Sequence, residues 1–208
     1  KKYCNIIKPI MKCYFFGTFN PLHNAHLEIA KKIKEQFNFD EVIFVPAYAP
    51  PHKIPDTTPS DRLFMAQLGA GKKNVDDIEY FLPIPSYSYN TILELKKRDK
   101  TDKINFIMGY DSFIKIESWK NPQILKENVN FIIIPRHCGN ISDISFEHLK
   151  QKGWNYKIAD INFMDISSNM IRDKVQNNEE ITGLVPKKIE EYIYEHRLYK
   201  GKTQRVFN

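Results

Sequence analysis

Cysteine is scarce in this chain: the three present, Cys4, Cys13 and Cys138, are widely spaced and odd in number. They fit neither a disulfide framework nor a zinc cluster, and the expected setting is reducing and cytosolic. Internal repeats, low-complexity tracts and linker-like boundaries are also lacking, so a single domain is expected. No apolar run approaches the length that crosses a bilayer, and no membrane association is expected. The opening stretch from Lys1 to Ile10 has no continuous apolar segment and no small-residue cleavage pattern, which argues against a secretory signal. Residue 1 is not Met, which leaves open a targeting peptide already removed. Lysine and arginine are not gathered into one arm either. The net charge of +6 and pI near 9.0 suit a nucleic acid or a nucleoside triphosphate equally. Without a basic stripe or a nucleic-acid motif, the spread reads as solvated surface, and no nucleic-acid partner is expected.

What is present is a folding composition, 42% hydrophobic and 13% aromatic over 208 residues, enough for one compact core. Short runs of β-branched and aromatic residues recur at 12–16, 41–45, 78–82, 103–108, 130–134 and 156–161. Most are nearly continuous in apolar character, as strands covered on both faces are. Helical patterns lie between them at 24–37, 60–68 and 89–97. After Ile161 two more helices are expected, at 168–176 and 186–198, the second opening on Pro186 in the first turn. Alternating strand and helix with right-handed crossovers predicts an α/β, Rossmann-like, doubly wound and mostly parallel sheet. Helices cover both faces and the C-terminal portion is helical; ligands are expected at the carboxyl ends of the strands.

The first strand runs at once into Gly17-Thr18-Phe19-Asn20-Pro21 and then a helix. Gly17 lets backbone approach a ligand, Pro21 stiffens the loop, and the helix start offers N–H groups and a positive dipole end to an anion. His23 and His26, three apart, face the same way and can both reach a phosphate. No cysteine or carboxylate partners accompany them, so no metal site is expected. On its own the pair also reads as two histidines at a helix cap.

The segment from Gly17 to His26 resembles the GTFDP-x-H-x-x-H signature of nucleotidyltransferases, nearest to nicotinate- or nicotinamide-mononucleotide adenylyltransferases. Asn20 stands for the usual Asp and Ala25 for the usual Gly. Further segments are similar to that family in the same order: Pro50-Pro51-His52-Lys53 with Arg62 and Met65, Ser86 to Thr91, Ile107 to Asp111 with Trp119, Pro135-Arg136, Ile166 to Arg172 with Asn169 for Thr, and Leu184 to Tyr199. The resemblance covers 11–199, leaving an N-terminal extension, 1–10, and a tail, 200–208.

The resemblance implies adenylyl transfer from ATP to nicotinate mononucleotide by direct in-line attack, with nicotinamide mononucleotide as a further acceptor and Mg²⁺ arriving with ATP. It implies His23, His26 and Arg172 as the catalytic set. For ATP it implies those three together with Gly17, Thr18, Phe19, Gly109, Asp111, Arg136, Ser167 and Ser168. For the mononucleotide it implies Asn20, Lys53, Ser88, Thr91 and Trp119. Trp119 offers a face for a pyridine ring, and without the resemblance it reads as a core tryptophan. Leu198-Tyr199 is read as packing. The alternatives are another nucleotidyltransferase, taking phosphopantetheine or a cytidine nucleotide, and a basic nucleic-acid-binding protein. Oligomeric state is open.

Overall fold

The computed structural model describes residues 10–135 and 146–200. Five strands form one sheet: β1 (Lys12–Gly17), β2 (Glu41–Pro46), β3 (Ile104–Gly109), β4 (Val129–Ile134) and β5 (Tyr156–Ile158). Their order is β2-β1-β3-β4-β5 and every pairing is parallel. Eight α-helices connect and follow them: α1 (Asn24–Phe37), α2 (Pro59–Ala70), α3 (Ser88–Asp99), α4 (Tyr110–Phe113), α5 (Pro122–Asn128), α6 (Glu147–Gln151), α7 (Ser168–Gln176) and α8 (Lys187–Glu195). The expected α/β doubly wound fold is the one observed. No described helix is long and apolar enough to cross a membrane.

Strand alternation assigns each side chain to one of two cores. Phe15 is level with Phe44 and Ile107, and Ile107 with Ile132. This row packs under α1, α2, α7 and α8, against Ile29, Ile33, Met65, Ile171 and Ile189. The adjacent row, Tyr14, Ile43, Phe106 and Phe131, faces the other way and packs with Ile92 and Leu95 of α3, Phe113, Leu125 and Trp154. Helix ends follow local chemistry. Thr58 and Asp61 form a capping box at α2, and Pro59 takes its first turn. Asn38, at φ 54°, closes α1 in the left-handed region that asparagine tolerates. At the amino-terminal end of the sheet, Asn105, Asn130 and Asn155 form a ladder: each later amide donates to the one before, and Asn105 donates to the Lys12 carbonyl.

The expected strand at 78–82 is a correction. Ile78–Phe81 is a 3₁₀ turn. Consecutive residues Ile78 and Glu79 are both buried while Phe81 is 79% exposed, a distribution that a strand with two covered faces does not produce. Pro186 sits at the N-cap of α8, one position before the first turn. Helices α4, α5 and α6 are too short for periodicity to mark them.

The sheet order has one functional consequence. The chain leaves β1 in one direction to β2 and returns to place β3 on β1's other side. Crossovers on either side of β1 and β3 leave a crevice at their carboxyl ends, where Gly17 and Gly109 lie.

Candidate active site

Beyond Gly17 the backbone turns sharply, with Phe19 at φ 48°. The Phe19 ring folds back over Gly17 and packs edge-on against Phe15 at 5.7 Å and His26 at 5.1 Å. A Cβ at Gly17 would come within 2.8 Å of that ring. Gly17 is therefore required by Phe19, a neighbour within the loop, whatever it also leaves open to a ligand. Gly109 is the opposite case: a Cβ there would meet nothing within 4 Å, so this strand end opens onto free space.

His23 and His26 stack at 3.6 Å between ring centroids, with 25° between planes. His23 is buried, 4% exposed, its Nδ1 has no partner, and burial pushes its pKa down to about 4. His26 is half-buried, and burial followed by the neighbouring His23 holds it well below the usual histidine range. Both rings are neutral at neutral pH. The His26 Nδ1 accepts a hydrogen bond from the His23 backbone N–H at 3.2 Å. The single ring proton of His26 therefore sits on Nε2, which makes Nε2 a donor.

That ring lines a cleft of about 410 Å³ with Thr18, Asn20, Lys53, Asp56, Ser168 and Arg172. The Arg172 guanidinium is held on every side. It donates to the Asn20 carbonyl at 3.0 Å and to Asn169 Oδ1 at 2.7 Å, and its Nε pairs with Asp56 at 2.9 Å. Desolvation, then the charges of Arg172 and Arg62, lower the pKa of Lys53. Burial is the larger cause of this depression, and the neighbouring guanidinium charges add to it. Against these cations the cleft wall carries one carboxylate, Asp56. The N-terminal residues of α7 also face it, adding the positive end of a helix dipole.

A second cleft, about 400 Å³, opens beside the first and shares Thr18 and Lys53 with it. Its walls include Gly109, Ser88, Glu79, Phe106 and the half-buried Trp119. Glu79 is buried, with its carboxyl raised by burial, and accepts from the Tyr48 N–H at 3.2 Å and Thr91 Oγ1 at 3.0 Å. One cleft is thus cationic, the other flat-walled and aromatic, and the two meet at Thr18 and Lys53.

Residues 14–174 match the cytidylyltransferase-like family model. A probable nicotinate-nucleotide adenylyltransferase of Clostridium acetobutylicum is 38% identical over 196 residues, covering 90% of this chain and 98% of the relative. The chain belongs to the nicotinate-nucleotide adenylyltransferase family. A probable member from Citrifermentans bemidjiense is 34% identical over 205 residues, covering 88% of this chain and 95% of its own. In fold, the chain is similar to the Plasmodium falciparum nicotinic acid mononucleotide adenylyltransferase complexed with NaAD. The TM-score is 0.74 at 22% identity, over 90% of this chain and 96% of that one.

Set against the expectations from the nicotinate-nucleotide adenylyltransferase signature, the structure gathers Thr18, Phe19, Asn20, His26, Lys53, Ser168 and Arg172 around the cationic cleft. Gly17, Ser88, Gly109 and Trp119 line the aromatic one with Thr18 and Lys53. Asn20, expected on the mononucleotide, lies with Arg172 and His26 instead. His23 stands behind His26 and lines neither cleft. Thr91 is buried, its hydroxyl spent on Glu79, so it is a packing residue of α3 rather than a binding one. The two serine hydroxyls are used differently, and only Ser168 commits its proton. Ser167 caps α7 by accepting from the Met170 N–H, and Ser168 donates to the Pro21 carbonyl, tying α7 to the first loop. Asp111 is exposed on α4 beside Ser112, which lines the aromatic cleft. Arg136 lies outside the described residues. Asp56, Thr57, Glu79 and Tyr199 were missed. Only Glu79 left a trace in sequence, as the charge in an otherwise apolar run.

Proposed function

We propose that this chain transfers the adenylyl group of ATP to nicotinate mononucleotide, forming nicotinate adenine dinucleotide and pyrophosphate. The observation that carries the reading is the junction of the two clefts at Thr18 and Lys53. A triphosphate needs the cationic cleft, a pyridine ring needs the flat wall of Trp119, and transfer needs their reacting phosphates side by side. An oxygen of the mononucleotide 5′-phosphate forms a bond to the α-phosphorus as the bond to the bridging oxygen of pyrophosphate breaks. The attacking phosphate is already ionised, so no protein nucleophile or general base is used.

Catalysis then rests on positioning and charge. His26 donates from Nε2 to the α-phosphate, and Arg172 and Lys53 take up charge that moves onto the leaving pyrophosphate. Gly109, which lines the same cleft as Trp119, leaves open space at the end of β3 that the adenosine shares with the pyridine nucleotide's cleft. Mg²⁺ enters with ATP and offsets part of the triphosphate charge. Among the described residues no three His, Cys, Asp or Glu side chains cluster, and Asp56 is engaged with Arg172, so no protein ligand set is assigned to the ion. We place the reaction in the cytosol, the reducing setting that the few, widely spaced cysteines suit.

The test is direct. Incubation with ATP, Mg²⁺ and nicotinate mononucleotide should release pyrophosphate, with a higher kcat/KM than for nicotinamide mononucleotide. Release with phosphopantetheine and none with either pyridine nucleotide would replace this reading.

A further inference from the structure

Asn20 is buried, 6% exposed, yet forms part of the cationic cleft. Its Oδ1 accepts two hydroxyl protons, from Thr57 at 2.8 Å and from Tyr199 at 2.9 Å. Two hydroxyls converging on one carboxamide oxygen fix where the Asn20 side chain sits, and the loss of either would loosen it. The Asn20 carbonyl in turn receives Arg172 Nη1 at 3.0 Å, so whatever fixes residue 20 also seats the guanidinium.

Tyr199 is well placed to do the fixing. After α8 the chain returns to its own helix through Leu198 N–H to the Ile193 carbonyl at 2.9 Å, and Tyr199 then points back into the molecule. Burial raises its phenol well above the usual tyrosine range, so it remains a donor throughout the working pH of an enzyme.

We infer that Tyr199 is a positioning residue for adenylyl transfer, acting through Asn20 to orient the carboxamide and the Arg172 guanidinium toward the phosphates. The inference rests on the function proposed above. The ring of Tyr199 packs against the core beneath α8. A packing role alone would be satisfied by phenylalanine; the positioning role requires the hydroxyl.

A double-mutant cycle with Tyr199→Phe, Asn20→Ala and the pair tests it, reading kcat and KM by pyrophosphate release, with melting temperatures as a control for folding. Tyr199→Phe should lower kcat/KM for ATP about tenfold, the scale of one lost hydrogen bond, while leaving KM for the mononucleotide within about twofold. In the Asn20→Ala background the same change should have no further effect. Independent, multiplying effects of the two substitutions overturn the inference. A second measurement does not depend on activity. The Asn20 side-chain amide signal in a ¹H–¹⁵N spectrum, assigned by its loss in Asn20→Asp, should move in Tyr199→Phe. If wild-type protein shows no turnover, the functional reading fails and this signal alone decides for Tyr199; an unmoved signal counts against it.

Discussion

His26 owes its usefulness to a bond it accepts. With Nδ1 committed to the His23 N–H and the ring neutral, the proton on Nε2 is fixed before any substrate enters. Removing one such preorganised donor costs about 10²–10³-fold in turnover. His26→Ala should show that loss in single-turnover kinetics, and near-wild-type turnover would remove His26 from the mechanism. His23 contributes differently. It is buried neutral with a pKa near 4, below the ordinary 6.5, so the unfolded chain binds the extra proton first as the pH falls. Its contribution to stability is therefore complete above about pH 6.5 and declines toward pH 4. Urea titrations should show a loss of about 2 kcal/mol between about pH 7 and pH 5 from this group. In His23→Asn that part of the slope should vanish; an unchanged slope would mean that other groups carry it. The two histidines were visible in sequence because their relation is local, three residues apart. Asp56, Thr57 and Tyr199 were not, because their partners lie 37 to 179 residues away and nothing in their own neighbourhoods distinguishes them.

At the level of elements, α7 carries Arg172 and begins on a cap that sets its register. Ser167 accepts the Met170 N–H at 3.1 Å, and Ser168 anchors the same turn to Pro21. Ser167→Ala should cost about 1 kcal/mol of unfolding free energy in urea, as loss of an N-cap does. A change below a few tenths would show that tertiary contacts alone hold the helix start. The periodicity of α1 and α7 was readable because each buries one face against the sheet, at Ile29 and Ile33 and at Ile171 and Val175. The 78–82 segment misled because composition was taken for exposure. Its apolar residues do not all enter a core, and Glu79 turns inward to satisfy Tyr48 and Thr91. A buried carboxylate with specific partners is a tertiary fact, and β propensity has no means of expressing it.

For the whole molecule, parallel pairing and helices on both faces follow from apolar strands alternating with helical patterns, and that much was legible. The strand order was not, since apolar runs look alike wherever they sit in a sheet. It is the placement of β3 beside β1 that brings Gly109 to Gly17 and makes one crevice of two separate loops. The clasp on Asn20 then spans 179 residues, against 25 for the asparagine ladder between neighbouring strands. Ribosomes deliver Asn20 early and Tyr199 late, so a nascent chain possesses its sheet-forming strands long before it possesses an ordered phosphate cleft. The Asn20 clasp therefore closes only after Tyr199 has been added to the chain. A chain ended at Leu198 loses the packed ring of Tyr199 as well as its hydroxyl, and should keep its far-ultraviolet dichroism while its turnover falls by more than the about tenfold expected of Tyr199→Phe.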